Sequence, residues 1–458
     1  MRALFVNVPL LDYSKCASKE YSTIIPVGLG YIVTVLRDEG FDADLLDAEH
    51  ERRPIDDIVR IAREYDIVGI NIPTPSLDIP GRIIEELRDK HITIGGVHVT
   101  CEPEMCFNEL EPDSMIVGES EHAIVNLFKR LEGNADEPVK GLYLKGKSYD
   151  SFQRADPIED LDTLPFLDRS IFVNEPYSTG TDKEVTISTT RGCPFSCHFC
   201  SVPKIFGKRL RCRSPRNIME EIRILYGQGI SSFRFMDDNF LVRTERIRTF
   251  CSMLRENGQD LRWRSLARID KLDEDIIPEM AKSGCYRLAF GIETIHPRIQ
   301  RGLGKEENPD RMREIITHCK RWGIKTKGFF TLGYPDETEE EIEMTLKASR
   351  ELGLDDVNYN ILRAFPCTDL TEMMLKKGYS KEHTYTFHQF DDMHTRDGLD
   401  KESIRRLDAI EREGINLNMF LKYHFSNIRP LNGMGLERLD GIIRKGYIDF
   451  YYSRINDE

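Results

Sequence analysis

Short apolar runs alternate with amphipathic helical stretches along most of this 458-residue chain, in two separate series. In the first, Ala3–Val8, Ala43–Leu46, Ile67–Ile72, Ile92–Ile94 and Met115–Val117 have strand length and are bounded by Gly, Pro or Asp. Between them Leu29, Ile32, Val33 and Leu36 recur at helical spacing, as do Ile55, Ile58, Val59 and Ala62, which places each set on one helix face. Strands separated by helices pair through crossovers, so the series predicts a doubly wound, Rossmann-like parallel sheet with helices on both faces. Such a sheet binds ligands at the carboxyl ends of its strands. The turns there are Pro73-Thr74-Pro75-Ser76, Gly95-Gly96-Val97-His98 and Gly118-Glu119-Ser120-Glu121. None is a phosphate-binding Gly-x-Gly-x-x-Gly loop, and Gly28-Leu29-Gly30 lies inside a helical pattern.

The second series starts at 184, with strands expected at 185–190, 231–237, 263–269, 286–292, 326–332 and 357–364. Ser214-Pro215 and Thr338-x-x-Glu341 mark helix starts between them. Six βα units are two short of a closed eight-fold barrel, so an open partial barrel is expected. Residues 134–183 read as a connector with a hairpin at Gly141–Tyr149, and the tail as a small helical cap with a helical pattern from Lys401 to Phe425. The expected domains are therefore 1–133, 134–183, 184–378 and 379–458.

Three cysteines follow the first strand of the second series, as Cys193-Pro-Phe-Ser-Cys197-His-Phe-Cys200. Thiolates are the ligands that iron–sulfur clusters take from proteins, and a cubane held by protein alone needs four. Three leave one iron open for chemistry. Structural zinc wants four ligands, usually as two paired knuckles, and the chain has no second Cys-x2-Cys pair. In a reducing cytosol the eight other cysteines are expected to be mostly small buried hydrophobes.

The net charge of −14 argues against extended nucleic-acid contact, which relies on Lys and Arg at phosphates. The basic run from Lys204 to Arg216 reads first as a solvated face. No apolar run is long enough for a membrane span, and the start lacks the zones of a signal peptide, so a cytoplasmic protein is expected.

The Cys-x3-Cys-x2-Cys loop directly after a strand resembles the cluster motif of the radical S-adenosylmethionine enzymes. The first domain resembles the cobalamin-binding domain fused ahead of many of them. Ile25-Pro-Val-Gly-Leu-Gly-Tyr-Ile, Asp42-Ala-Asp-Leu-Leu-Asp47, Ile94-Gly-Gly-Val-His98 and Val117-Gly-Glu-Ser-Glu121 carry that likeness. Further matches are Pro165-Phe-Leu-Asp-Arg169, Phe235-Met-Asp-Asp-Asn239, Gly291-Ile-Glu293 and Phe365-Pro-Cys-Thr-Asp-Leu370. The resemblance implies a 4Fe–4S cluster on Cys193, Cys197 and Cys200, S-adenosylmethionine on its open iron, and cobalamin on the first sheet. For S-adenosylmethionine it implies Phe199 at the adenine edge and Asp237, Asp238 and Asn239 at the amino-acid end. Arg268 would take the carboxylate or ribose and Glu293 a ribose hydroxyl, with Gly333 and Pro366 near adenine and substrate. On the residues alone, the Asp-Asp-Asn run also reads as turn and cap, and Arg268 and Glu293 as a structural ion pair. For cobalamin it implies Pro9, Gly28, Thr74 and Ser76, then Gly95, Gly96 and His98, then Gly118 and Glu119.

One departure is visible. Cobalamin domains that ligate cobalt through histidine carry Asp-x-His-x-x-Gly after the first strand, whereas Asp89-x-His91 and Asp392-x-His394 match only its first half. The lower axial position is then not filled by that histidine, as in the methylating members. Cys367 stands where family members often have glycine and reads as a small residue or a thiol near the radical; Cys101 and Cys106 flank the fourth strand's loop. The implied activity is methylation of an unactivated carbon, or of phosphorus, in a small molecule. The alternatives are rearrangement, cyclisation or atom replacement, and, from another class, a non-catalytic sensor. A flavodoxin or ferredoxin is the implied reductant.

Overall fold

A computed structural model describes residues 1–10, 12–14, 25–74, 77–134, 137–172, 184–305, 308–378, 388–389, 399–413, 425–426 and 433–456. The first sheet contains β1 (Arg2–Asn7), β2 (Asp42–Asp47), β3 (Ile67–Asn71), β4 (His91–Gly95), β5 (Ser114–Ile116) and β6 (Leu142–Leu144). Their order is β2-β1-β3-β4-β5-β6, so the winding reverses between β1 and β3. β1 and β3 are almost wholly buried along their length, because helices cover both faces. On one face α1 (Val27–Asp38) and α6 (Glu121–Leu131) bury Val33, Leu36, Leu127 and Phe128 against Phe5, Ala43 and Ile67. On the other, α2 (Ile55–Ala62) and α3 (Asp78–Glu86) bury Ile58, Ile83 and Ile84 against Leu4, Val6 and Ile70. Gly69 has no room for a side chain: a Cβ there would lie 2.3 Å from the Phe5 ring.

Gly141–Tyr149 is not a hairpin. Leu142–Leu144 instead pairs antiparallel with β5 and becomes the edge of the first sheet. The side chains explain the choice, since Tyr143 stacks edge-on with Tyr149 and Phe152, and Phe107 closes the same aromatic group.

The second sheet is parallel throughout. It holds β7 (Glu184–Ile187), β10 (Ser232–Phe235), β11 (Arg262–Ala267), β12 (Cys285–Glu293), β13 (Lys325–Leu332) and β14 (Asp356–Ile361). The order β14-β13-β12-β11-β10-β7 leaves β7 and β14 unpaired to each other, so the barrel is open. A separate two-stranded ribbon, β8 (Thr190–Arg191) with β9 (Arg211–Cys212), lies above β7. Burial alternates along β11, β12 and β13. One face supplies Phe235, Trp263, Leu288, Phe290 and Phe330 to a core beneath α8 (Pro215–Gly227), α9 (Thr244–Glu256), α12 (Pro309–Arg321) and α13 (Glu339–Glu351). Both helix starts read from sequence are present: Ser214 Oγ accepts from Asn217 N, and Thr338 with Glu341 forms a capping box.

The carboxyl-terminal helices cap this outer layer. Lys401–Arg412 is helical, and the rest of the pattern expected to Phe425 lies outside the described residues. A helix at Leu436–Asn456 buries Leu439, Ile443, Ile448 and Phe450 in the barrel's outer core. Tyr447 Oη accepts from Tyr359 N at 2.8 Å, and Tyr451 bonds Asp356, so this helix covers the edge strand β14.

Candidate cofactor site between two sheets

The carboxyl ends of the two sheets meet across one cavity of about 430 Å³. From the first sheet come Asn71, Gly95, Gly96, Gly118 and Glu119, with Gly28 and Tyr31 of α1; from the second come Ser188, Thr190, Arg191, Met236 and Asp238. The switch point between β1 and β3 opens into it, as expected for a sheet of this winding. Glycines form much of the first wall. A Cβ on Gly28 would meet no atom within 4 Å and so faces open space, and one on Gly95 would make only ordinary contact, nothing closer than 3.7 Å. Gly96 is different. Its φ of +108° and the 2.2 Å approach of Asn71 Oδ1 to a would-be Cβ make glycine a backbone requirement there.

Not every residue expected at the cobalamin wall is there. Pro9 and Thr74 are buried and do not line the cavity, His98 is fully buried behind the wall, and Ser76 lies outside the described residues. No imidazole lines the cavity among the described residues. His91 sits at the amino end of β4, where its ring bonds Ser114 Oγ at 3.0 Å, far from the ligand-binding ends of the strands. Glu119 does line the cavity, but its carboxylate is occupied: Arg191 donates to it at 2.8 Å and Arg211 at 3.0 Å. Burial opposes its ionisation, but the two guanidiniums outweigh that and hold its carboxyl below the usual range.

The cluster loop leaves the barrel through β8 and returns through β9. Cys193, Cys197 and Cys200 are half-buried on it, and burial pushes all three thiols up, Cys200 to about 11. Among the described residues no three side chains converge as they would on a single metal ion. Three thiols on one loop would leave one corner of a cubane without a protein ligand. Cationic partners complete the fit: Arg268 Nη1 lies 3.4 Å from Cys197 Sγ and its guanidinium sits 4.1 Å from the centre of the Phe195 ring.

Around this loop the barrel ends carry paired charges. Arg268 and Glu293 do not pair with each other. Arg268 donates twice to Asp270, at 2.9 and 2.7 Å, while Glu293 takes Lys305 at 3.2 Å and the Thr331 hydroxyl at 2.8 Å. Glu293 has a φ of +67°, and the β12–β13 register slips there, which turns its carboxylate into the barrel mouth. Asp237 faces inward: Thr189 N at 2.6 Å, Thr190 N at 2.8 Å and the Thr189 hydroxyl saturate it, so it braces the strand that launches the cluster loop. Asn239 is buried beside it. Asp238 opens to the cavity, yet the surrounding protein, with Asp237 adding to it, pushes its carboxyl up to about 6. Phe199 packs on an apolar group of Ile299, Leu303, Tyr334 and Leu362. Gly333 N and Tyr334 N both donate to Glu337, at 2.5 and 3.0 Å, and Pro366 is buried in the turn after β14.

Sequence reading missed several participants. Asp270 and Lys305 stand outside any short motif and matter through their contacts. Cys101 and Cys367, 266 positions apart, are joined as a disulfide with Cα atoms 5.3 Å apart, linking the end of α4 (Val97–Cys101) to the turn after β14. Neither is therefore an inert small hydrophobe, whereas Cys106, Cys251, Cys285 and Cys319 are buried thiols as expected.

Comparison with known proteins matches each of the two domains to a family. A model of the B12 binding domain matches residues 16–128, and one of the radical SAM superfamily matches residues 187–348. An uncharacterized methyltransferase of Pyrococcus horikoshii is 30% identical over 357 residues, covering 76% of this chain and 78% of the relative. An anaerobic magnesium-protoporphyrin IX monomethyl ester cyclase of Rubrivivax gelatinosus is 25% identical over 99% of this chain and 84% of its own. Among solved structures, the radical S-adenosylmethionine methyltransferase TsrM of Kitasatospora setae, with cobalamin and a [4Fe-4S] cluster bound, superposes with a TM-score of 0.68. It shares 19% identity over 86% of this chain and 82% of that one. The chain belongs to the radical S-adenosylmethionine enzymes that carry an amino-terminal B12-binding domain. It is accordingly a radical enzyme with a B12-binding domain. Among the described residues no helix is long and apolar enough to cross a membrane.

Proposed function

We propose that this enzyme transfers a methyl group to an unactivated carbon of a small-molecule intermediate. The observation that supports this reading is the single cavity shared by the glycine turns of the first sheet and the strand ends beside the cluster loop. A substrate held there would contact both cofactor positions without crossing solvent. When bound, the cluster supplies the electron that cleaves S-adenosylmethionine to a 5′-deoxyadenosyl radical, and cobalamin supplies the methyl group.

The chain's own residues position and exclude. Cys193, Cys197 and Cys200 would hold the cluster. Arg268 and Lys305, each already balanced by a carboxylate, offer cationic edges for an amino-acid carboxylate, and Glu293 offers an acceptor for a ribose hydroxyl. Phe199 and its apolar neighbours provide a dry surface for adenine. Gly28 and Gly95 leave the first wall bare for a large planar ligand, and Gly96 and Gly118, both at positive φ, form its turns. A low-potential donor such as a flavodoxin or ferredoxin would deliver the electron.

The test is the coproduct ratio. A methylase that uses two S-adenosylmethionine molecules yields S-adenosylhomocysteine and 5′-deoxyadenosine in near-equal amounts on its true substrate. Substrate-dependent 5′-deoxyadenosine without S-adenosylhomocysteine would pass the assignment to a second reading, radical rearrangement or cyclisation. The similarity over almost the full chain to a relative named as a cyclase favours keeping that reading in view.

A further inference from the structure

The cluster loop has a neck, and the neck is closed by the other domain. Residues 192–210 lie between β8 and β9, and Arg191 and Arg211 stand directly opposite each other in that two-stranded ribbon. Like charges at directly opposed positions repel and loosen a ribbon. Here both guanidiniums converge on Glu119, in the turn after β5. Arg191 donates to Oε2 at 2.8 Å and Arg211 to the same oxygen at 3.0 Å, while Arg211 also bonds Oε1 and Arg191 also bonds Glu121. All four side chains are largely buried, from 2% exposed at Arg211 to 13% at Arg191. Two positive and two negative groups balance, so the group is neutral as a whole; deleting one member would leave a buried charge unmatched.

Two further contacts tighten the same place. Arg211 donates to Ile158 O at 2.7 Å, tying the neck to the segment after the first sheet. At Gly192 a Cβ would come within 2.4 Å of Arg209 O, so the two sides of the loop nearly touch just before Cys193. Arg191, Glu119 and Glu121 all line the shared cavity.

We propose that Glu119 is a positioning residue rather than a cobalamin ligand: by bridging Arg191 and Arg211 it closes the neck of the cluster loop and registers that loop against the cobalamin wall. The claim rests on the family reading that both cofactors occupy this cavity. Its consequence is that the spacing of the two cofactors follows from an ion group in the cavity wall that holds the loop, rather than from direct ligation of either cofactor by Glu119.

The test uses full-length protein with Glu119→Gln, and with Arg191→Lys, which keeps a charge but cannot span Glu119 and Glu121 together. Amide exchange through residues 192–210 should quicken by about tenfold in Glu119→Gln, the size of a modest coupling between sites. It should quicken less in Arg191→Lys. In the reconstituted protein, iron and cobalamin contents should stay at wild-type levels. The dipolar coupling between cob(II)alamin and the reduced cluster, read by electron paramagnetic resonance, should broaden in Glu119→Gln and broaden less in Arg191→Lys. A merely structural role would not grade that signal. Wild-type exchange and coupling in both variants would overturn the proposal. So would loss of cobalamin from Glu119→Gln with loop exchange unchanged, since that would make Glu119 a direct ligand. If Glu119→Gln does not fold, the charge-balanced double variant Glu119→Gln/Arg191→Gln takes its place, and wild-type exchange there counts against the neck. If wild-type protein takes up no cobalamin, the cofactor reading fails, and the exchange measurement still decides whether Glu119 closes the loop.

Discussion

The two parallel sheets solve the same problem in opposite ways. In the first, helices cover both faces, and β1, β3 and β4 are buried along nearly their whole length. In the second, helices cover one face, and the other turns inward with charge. Glu184 binds Arg264 at 2.7 Å and Tyr286 at 2.7 Å, with Arg234 beside them, and Lys327 binds Asp356 at 3.0 Å. A doubly covered sheet has nowhere to put a polar ligand except the crevice at its carboxyl edge. An open barrel keeps a polar interior as well, where charged groups of a cofactor or substrate can be matched. The difference teaches why one sheet offers glycine backbone and the other offers paired side chains.

The sharpest way to break this comparison is at the barrel's cluster loop. Changing any of Cys193, Cys197 or Cys200 to Ala should abolish iron binding and 5′-deoxyadenosine formation, measured by iron assay and chromatography. Cobalamin uptake by the first sheet should survive in those variants. The reciprocal change is Gly95→Leu, which adds bulk at a position lining the cavity where a Cβ meets nothing closer than 3.7 Å. Hydroxocobalamin binding, followed by its visible spectrum, should be lost while the reconstituted cluster remains. Survival of binding would show that the glycine wall is not the cradle.

Charge inside the barrel gives a smaller effect. Glu184→Gln should cost about 4 kcal/mol in chemical denaturation, because Arg264 and Arg234 then face each other without their shared partner. Replacing Glu184 and Arg264 together by Met should recover much of it.

The smallest effect is a pH dependence. Burial pushes Glu337 up to about 7 against an ordinary 4.5, so the folded state holds the proton more tightly than the unfolded one. Its stabilising contribution is therefore full below about pH 4.5 and lost as pH rises through 7, roughly 3 kcal/mol in all. Glu337→Gln keeps an acceptor for Gly333 N and Tyr334 N and should flatten that fall in denaturation midpoints between pH 5 and 8. An unchanged slope would place the titration elsewhere.

Sequence legibility followed the range of the forces involved. Strand and helix identity was readable because local periodicity decides it: Ile55, Ile58, Val59 and Ala62 are all buried along α2. Glu341 was legible as a capping box because its partner is three residues away. Gly141–Tyr149 was misread because the partner of Leu142–Leu144 is β5, some thirty residues back, and nothing local distinguishes it from a hairpin. Asp237 was misplaced because an acidic residue at a strand end looks the same whether it faces a ligand or the backbone of Thr189 and Thr190.

By itself the sequence determined the two βα series and the three-thiol loop, since each rests on spacing between near neighbours. It also carried the absence of a cobalt-ligating histidine motif. Tertiary structure decided which charges meet. Glu119 pairs with Arg191 and Arg211 across 72 and 92 positions, and Cys101 meets Cys367 across 266. Those partners are chosen by how the strand ends of two sheets face each other, and an ion pair or a disulfide between distant residues leaves no periodic trace in the chain that makes it.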